Sequence, residues 1–587
     1  VSLALTRRTR GLFEALAVVV APGAVFVALH IRAMPRTLMI DPFFYGAYAL
    51  DGPDLLQRFG TGNYYWPRVG FILPDTLFVR LLGPVAGFFA FRYVLALVAI
   101  VPVYLLFRQV LGRGAAWIAV LTVLTAPVVL SAWGSDYPDS SAVSYLMGGT
   151  CLLFLRPSTP RRRWLLLLAA GCLFGLAVNS QVVAVFTVVG AVVGRWVATW
   201  TNGRAALMRD GAAIVAGAVA ITAVLVLFSA TTLGQWDIFR PTVHALIQYR
   251  VPQVEALFHS STWRWLLDDI YVLAPPALLL TWLAGTWLPR RSFAASGAEL
   301  GFAVAAGVAY GFHAFFQLVG NNWTLEYYLY TSMLWATVSP LLVFTAMRLV
   351  RRSQSLRPTG RELVVVAVSL LGIPLVLRVF RDELQLGLAA AVLLVVVSVV
   401  GAVVARVGRP LLALRVCGVA VTVAALTLLV VGLPKNPTIY PGQVAYYTPD
   451  YGTALFGDGA AEVDRYAIFA DLHTVVPTWS EVPGGLVTWA PPAHSDVLNV
   501  ASAQYLWLSE ALPAQMPSLD QSTIASLSAR HPRVVVMLSD TGSEFQAAQQ
   551  ALSIGGYAPQ LIRQATLRSG GDVLWVRVLE LMHQASH

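Results

Sequence analysis

Charge is scarce in this sequence. Asp, Glu, Lys and Arg make up only 12% of its 587 residues, while 57% are hydrophobic. Soluble domains carry roughly a quarter charged residues, so a water-soluble globular chain is excluded. Cysteine is nearly absent: Cys151, Cys172 and Cys417 all lie within apolar stretches. That distribution excludes a disulfide framework and a cysteine metal site. Lysine is rarer still, Lys435 being the only one, so the positive charge is almost wholly arginine. No internal repeat or low-complexity segment occurs, and the C-terminal tail has no zinc-ligand spacing or phosphate-binding glycine loop.

What the sequence has instead is long apolar runs, with a mean hydropathy of +0.68. Stretches long enough to cross a hydrocarbon core of about 30 Å begin near Gly11, Val85, Ala115, Ser140, Trp164, Val182, Gly211, Tyr271, Leu300, Leu329, Leu363, Leu386 and Val416. The expected fold is a polytopic α-helical membrane protein of about thirteen transmembrane helices. The first run follows "TRRTR" and reads as a retained anchor, because it is too long for a signal peptide and has no small-residue cleavage site.

Arginine sets the expected orientation, since basic residues near span ends stay on the cytoplasmic side. Alternate loops are basic: "TRRTR", "RQVLGRG", "RPSTPRRR", "GRWVATWTNGRAALMR", "PRR", "RRSQSLRPTGR" and "RVGRPLLALR". The short loops between them, "SDYPDS", "NSQ" and "GNNWTLEYY", contain no Arg or Lys. The net charge of +10 therefore reads as membrane topology and excludes a nucleic-acid role. The N-terminus is expected in the cytoplasm, and an odd number of spans puts the tail outside.

Two outer loops are long. The first runs from His30 to about Pro84 and the second from Gly234 to Ile270. Long loops in compact proteins tend to carry function, and these are too aromatic to be disordered. The second mixes Arg240, His244, Arg250, His259 and Arg264 with tryptophans, a composition suited to a phosphate-bearing lipid at headgroup depth. Ordinary snorkelling beside an aromatic belt accounts for the same residues.

The carboxylates are more selective. Asp41, Asp136, Asp139 and Glu326 fall at the outer ends of spans, where an ionised carboxylate costs several kcal/mol unless it has a partner or a task. Asp41, in "LMIDPFFYGAYAL", is flanked by Pro42, Phe43, Phe44 and Tyr45, an environment that tunes a carboxylate towards general-base work. Each has a structural alternative. Asp41 can cap an interfacial helix with Pro42 at its first position, Asp136 or Asp139 can cap the span beginning "SSAVSYL", and Glu326 can be a solvated loop residue.

These motifs resemble those of the GT-C glycosyltransferases, which include the protein O-mannosyltransferases and the lipid A aminoarabinose transferases. "IDPFFYGAYA" resembles the acidic signature of that family's first outer loop. "GSDYPDSSAVSYLMGGTCLLFL" sits where its second outer loop carries another acid, and "LEYYLYTSMLWATVSPLLVF" resembles its outer-loop-to-helix segment. The resemblance covers most of the membrane body. It implies an enzyme of inverting type that takes a sugar from a polyprenyl-phosphate donor outside the cytoplasmic membrane. The acceptor would be a hydroxyl of a cell-envelope glycan, lipid or protein. Catalysis then falls to Asp41, Asp136, Asp139 and Glu326, and substrate binding to Tyr45, Arg68, Arg240, His244, Arg250, Arg264 and Tyr327. The family admits a divalent metal, but Pro42 stands where it has a second acid, which removes a ligand. Two readings outside this class are a transporter or flippase of lipid-linked or soluble sugars, and a non-catalytic envelope-assembly protein.

The chain divides into a membrane body, 1–433, and an extracytoplasmic tail, 434–587. In the tail "GAAEVDRYAIFADLHTVV" reads as an amphipathic helix, while "GGLVTWAPP" and "RVVVML" read as buried strands. Thr541 and Glu544 have capping-box spacing, and the Gly570–Gly571 pair marks a hairpin. The expected tail is a small α/β domain. Its Asp471, His473 and Asp496 are too scattered to form a site, and the sequon at Asn322 is accidental.

Overall fold

The computed structural model describes residues 2–28, 65–124, 138–248, 297–320, 327–355, 486–489, 532–539, 541–569 and 572–583. Short pieces between 45 and 61, between 126 and 133, and between 275 and 283, together with residue 475, are also described. The helices of the body are α1 (Ser2–Ala28), α2 (Val69–Leu82), α3 (Pro84–Val110), α4 (Arg113–Leu124), α5 (Pro138–Phe154) and α6 (Pro160–Ser180). They continue with α7 (Ala184–Thr199), α8 (Arg204–Leu233), α9 (Phe239–Gln248), α10 (Gly297–Gly320) and α11 (Tyr327–Ser355).

The protein is a polytopic helical membrane protein. Among the described residues three helices are long and apolar enough to cross a bilayer: Ala86–Val110, Pro160–Ser180 and Arg204–Leu233. Shorter apolar helices lie at Gly11–Val27, Arg113–Leu124, Ala184–Thr199 and Ser332–Thr345. The spans read near Leu363, Leu386 and Val416, and most of the one near Tyr271, lie outside the described residues. Large apolar side chains such as Val215, Val219 and Leu227 of α8 are exposed, as lipid-facing residues are, while Ala213, Ile214 and Gly217 face the bundle.

Small residues let these helices approach. A Cβ on Gly171 of α6 would lie 2.0 Å from the Ile214 carbonyl of α8, and one on Gly217 of α8 would lie 2.1 Å from the Leu168 carbonyl of α6. Backbone-to-backbone packing of this kind drives helix association where no hydrophobic force separates helix from lipid.

The bundle has two chemically distinct ends. At one, Glu14 of α1 receives Arg108 of α3 at 3.2 Å and Arg113 of α4 at 2.9 Å, and accepts a hydrogen bond from Tyr104 at 3.1 Å. The loop after α5 is tied to the same end, since the Arg156 backbone N–H donates to Gln109 of α3 at 2.9 Å. Arg163 of α6 and Arg195 of α7 meet Asp210 of α8 there as well. Three of the basic loops read from the sequence thus lie together. The opposite end gathers the starts of α2, α5 and α7 with the last turns of α6 and α8.

In the tail, β1 (Leu486–Trp489), β2 (Val534–Ser539), β3 (Tyr557–Ser569) and β4 (Asp572–His583) form a sheet of order β1-β2-β4-β3. β1 pairs parallel with β2, while β4 runs antiparallel to both of its neighbours. Helix α12 (Phe545–Ile554) covers one face with Phe545, Ala548 and Leu552 against Val535, Met537, Tyr557, Leu579 and Leu581. The other face buries Val534, Val536, Leu538, Leu574, Val576 and Val578. The β3–β4 hairpin forms where the glycine pair predicts it. The capping box does not: α12 starts at Phe545, and the Ser539 hydroxyl accepts the N–H groups of Thr541 and Gly542 while donating to Glu544. The Ser539 hydroxyl thus takes the Thr541 N–H that a capping box assigns to Glu544, and engages the Glu544 carboxylate itself.

Candidate active site

The candidate site lies at the end of the bundle away from Arg108, Arg156, Arg163 and Arg195. Its foundation is a close approach between α2 and α6. A Cβ on Gly70 would stand 2.3 Å from the Leu176 carbonyl and 2.7 Å from both the amide nitrogen and Oγ of Ser180. Only glycine fits there. Two residues earlier, the Arg68 guanidinium donates to the side-chain carbonyl of Gln181, which is itself buried just past the end of α6. Arg68 therefore enters the site as a fixed cation, not as a solvated loop residue.

Aromatic rings seal this corner. Tyr45 meets Tyr65 edge-on at 5.4 Å and Phe71 at 6.0 Å; Phe71 meets Phe91 of α3 at 5.7 Å, and Phe91 meets Phe78 at 5.8 Å. Tyr45 is fully buried. Gly52 lies against Leu233 at the end of α8, so pieces of the first long loop are packed into the bundle. Tyr48, also fully buried, has a phenol pushed well above the usual tyrosine range by burial, and it is neutral at physiological pH.

Three charged side chains are buried within the packed α2–α3–α5 group. Asp75 of α2 and Asp139 of α5 are fully buried, and Arg92 of α3 is only 2% exposed. All three are engaged in polar or electrostatic contacts. The ring contacts of Phe91 with Phe71 and Phe78 set Arg92 at the level of α2 that carries Asp75. Asp75 also acts electrostatically on Tyr145 of α5. The start of α5 is pinned by Trp133, whose indole N–H donates to Ser144 at 2.9 Å, and by Ser144, which donates to the Ser140 carbonyl at 2.7 Å.

Of the residues picked from sequence, Tyr45, Arg68 and Asp139 come to this end of the bundle and are buried or partly buried. Asp139 is not an N-cap, because α5 already begins at Pro138; its carboxylate sits inside the first turn. Arg240 lies in the first turn of α9, its N–H donating to Asp237 at 2.9 Å, and its side chain is exposed. Asp41, Asp136, Arg250, Arg264 and Glu326 lie outside the described residues, as do the side chains of His244 and Tyr327. Among the described residues no three His, Cys, Asp or Glu side chains converge to hold a metal ion.

Asp75 and Arg92 were missed by the sequence reading. Each is a lone charge in an apolar run, "VGFILPDTLF" and "GFFAFRYVLALV". The rule that singled out Asp41, that a charge near hydrocarbon needs a task, applies to both.

Residues 76–230 match the family model described as dolichyl-phosphate-mannose-protein mannosyltransferase. The chain resembles the protein mannosyltransferases. The matched segment contains Arg92, Trp133, Asp139 and Gln181, so the likeness read from short motifs meets an independent match over the helices that carry the site. No curated protein matches the chain. Among solved structures, ArnT from Cupriavidus metallidurans bound to undecaprenyl phosphate is 15% identical, with 96% of this chain and 98% of that chain covered and a TM-score of 0.49. The archaeal oligosaccharyltransferase AglB from Archaeoglobus fulgidus, in complex with an inhibitory peptide and a dolichol-phosphate, is 15% identical. It covers 93% of this chain and 72% of its own, with a TM-score of 0.38. Likeness at that level does not transfer function.

Proposed function

We propose that this protein is a membrane glycosyltransferase that moves a sugar from a polyprenyl-phosphate donor to a hydroxyl of a cell-envelope acceptor, outside the cytoplasmic membrane. The observation that carries the proposal is the coincidence of the mannosyltransferase-like segment, residues 76–230, with buried Arg92 and Asp139 at one end of the bundle. Such a reaction needs a carboxylate to accept the acceptor's proton and cations to hold the phosphate as the glycosidic bond breaks. Asp41, Asp136, Asp139 and Glu326 are the proposed carboxylates, and Asp75 joins them. Arg68 and Arg92 are the proposed cations at that end of the bundle, with Arg240, His244, Arg250 and Arg264 on the second long loop engaging the lipid phosphate. Tyr45 and Tyr327 line the sugar path.

The arginine-rich end is then cytoplasmic, and the site and the tail from 434 onward face the other side. Within the body, 1–433, a groove open to lipid would take the polyprenyl chain; the tail, 434–587, stands where it can meet the acceptor.

The test is transfer by purified protein in nanodiscs supplied with a polyprenyl-phosphate-linked sugar and envelope-derived acceptors, read as release of polyprenyl phosphate and sugar gained by the acceptor. Loss of both signals in Asp139→Asn, in protein that still unfolds like wild type, supports the reading. Movement of intact lipid-linked sugar across proteoliposomes with no transfer by wild type would replace it with a flippase.

A further inference from the structure

The basic end of the bundle holds a second buried charge cluster that the transfer chemistry does not use. Asp210, in the second turn of α8, is 4% exposed and receives both Arg163 of α6 and Arg195 of α7. Both guanidiniums approach the same oxygen, Oδ2, through their Nη2 atoms. One carboxylate cannot neutralise two guanidiniums, so one positive charge is left over. The side chain of Arg195 is 9% exposed, and the Nε groups of Arg163 and Arg195 are both buried with no hydrogen-bond partner among the described residues. Arg156 adds a third positive charge close enough to act on Arg195. Excess positive charge and orphaned donors at the edge of hydrocarbon cost several kcal/mol unless an anion answers them.

Three features say which anion. Arg163 is about one-third exposed, so the cluster opens to the protein surface. Each of the two arginines is followed by an exposed tryptophan, Trp164 at 46% and Trp196 at 43%, and Trp200 nearby is 69% exposed. Exposed indoles flanked by arginine mark the headgroup layer of a bilayer. The N-termini of α6 and α8 also lie at this end, and their dipoles add to the positive field. A phosphate delivered by the membrane itself meets all three conditions.

We propose that Arg163 and Arg195, bridged by Asp210 and assisted by Arg156, form a site for the phosphate of an anionic phospholipid headgroup between α6, α7 and α8. Basic pockets between helices on one side of a membrane bind such headgroups through phosphate chemistry that arginine matches in geometry. Asp210 offsets the repulsion between the two guanidiniums when the lipid is absent and leaves the exposed part of the Arg163 side chain to the ligand. The site is separate from the candidate transfer site at the opposite end.

The test uses the full chain in nanodiscs of phosphatidylcholine with and without phosphatidylglycerol, with native mass spectrometry to count retained lipid and a thermal challenge to read protection. Wild type should retain phosphatidylglycerol and unfold more slowly with it. Arg163→Gln and Arg156→Gln should each weaken retention about fivefold to tenfold, on the scale of one arginine at an anionic surface. Asp210→Asn should retain more phosphatidylglycerol than wild type, whereas a purely structural ion triad would lose stability in that variant and gain no lipid. Should Arg163→Gln fail to fold, Arg156→Gln and Asp210→Asn still decide the matter. Equal retention by wild type and both of those variants would overturn the site. Inorganic phosphate protecting the protein in pure phosphatidylcholine as well as phosphatidylglycerol does would overturn the lipid as its ligand.

Discussion

Replacing Gly70 with alanine tests whether the α2–α6 contact builds the candidate site. The added methyl would lie 2.3 Å from the Leu176 carbonyl oxygen and 2.7 Å from the nitrogen and Oγ of Ser180. Ordinary carbon contacts are about 3.5 Å, so α2 must retreat by about 1 Å. Two of the three obstructing atoms are backbone, which no rotamer change can move. Overpacking of this kind costs about 1–3 kcal/mol, and the improved helix propensity of alanine returns at most about 1 kcal/mol. Gly211 of α8 is the control, because a Cβ there meets nothing within 4 Å. Gly211→Ala should therefore be neutral or stabilising by up to about 1 kcal/mol. Unfolding of a protein this size is best compared as a half-life at fixed temperature in nanodiscs. Gly70→Ala should unfold several-fold faster than wild type, and Gly211→Ala no faster. The retreat also withdraws Arg68 from Gln181, so Gly70→Ala should lose sugar transfer at temperatures where it remains folded. Matching half-lives and transfer rates for the two variants would refute the close approach.

Asp41→Asn should leave insertion and folding intact while lowering transfer by about 10²–10⁴-fold, the usual loss on removing a general base; wild-type turnover in that variant would assign Asp41 to helix capping. Tyr48→Phe removes a buried hydroxyl that has no partner among the described residues, so the variant should unfold more slowly than wild type, by about 1 kcal/mol or more. Faster unfolding would show that the hydroxyl is engaged. A reporter fused after Lys435 should be active outside the membrane, and one placed in the basic segment 351–361 only inside; the reverse would move the whole site to the cytoplasm.

Helix positions were legible in the sequence because hydrocarbon imposes its own length and composition. The stretches read near Val85, Ser140, Trp164, Val182, Gly211, Leu300 and Leu329 correspond to α3, α5, α6, α7, α8, α10 and α11, differing at their ends by a few residues. Arginine placement was equally legible, since the loops around Arg108, Arg156 and Arg195 do share one end. Glu14 drew no attention because it lies in the first apolar run, and only the fold shows Arg108 and Arg113 meeting it. The tail strands and hairpin followed from β-branched runs and a glycine pair. The capping box failed because spacing alone cannot tell that Ser539 takes the Thr541 N–H in place of Glu544.

The site was only partly legible, for a reason that lies in how a membrane site is assembled. Sequence reasoning looks for polar residues where loops leave the bilayer, and of those it named Tyr45, Arg68 and Asp139 lie buried or partly buried at one end of the bundle. Asp75 and Arg92 sit two turns inside helices, where the surrounding apolar residues make them look like isolated exceptions. The rings of Phe71, Phe78 and Phe91 pack α3 alongside α2 at the level of these two residues. That contact depends on rings spaced along two helices, and no local motif records it. Arg163, Arg195 and Asp210 show the same thing at the other end, each ordinary in its own loop and charged with consequence only where α6, α7 and α8 converge. In a low-dielectric bundle a buried charge needs a partner or a task, so a lone charge inside an apolar run is the sequence signal to look for what the topology brings to it.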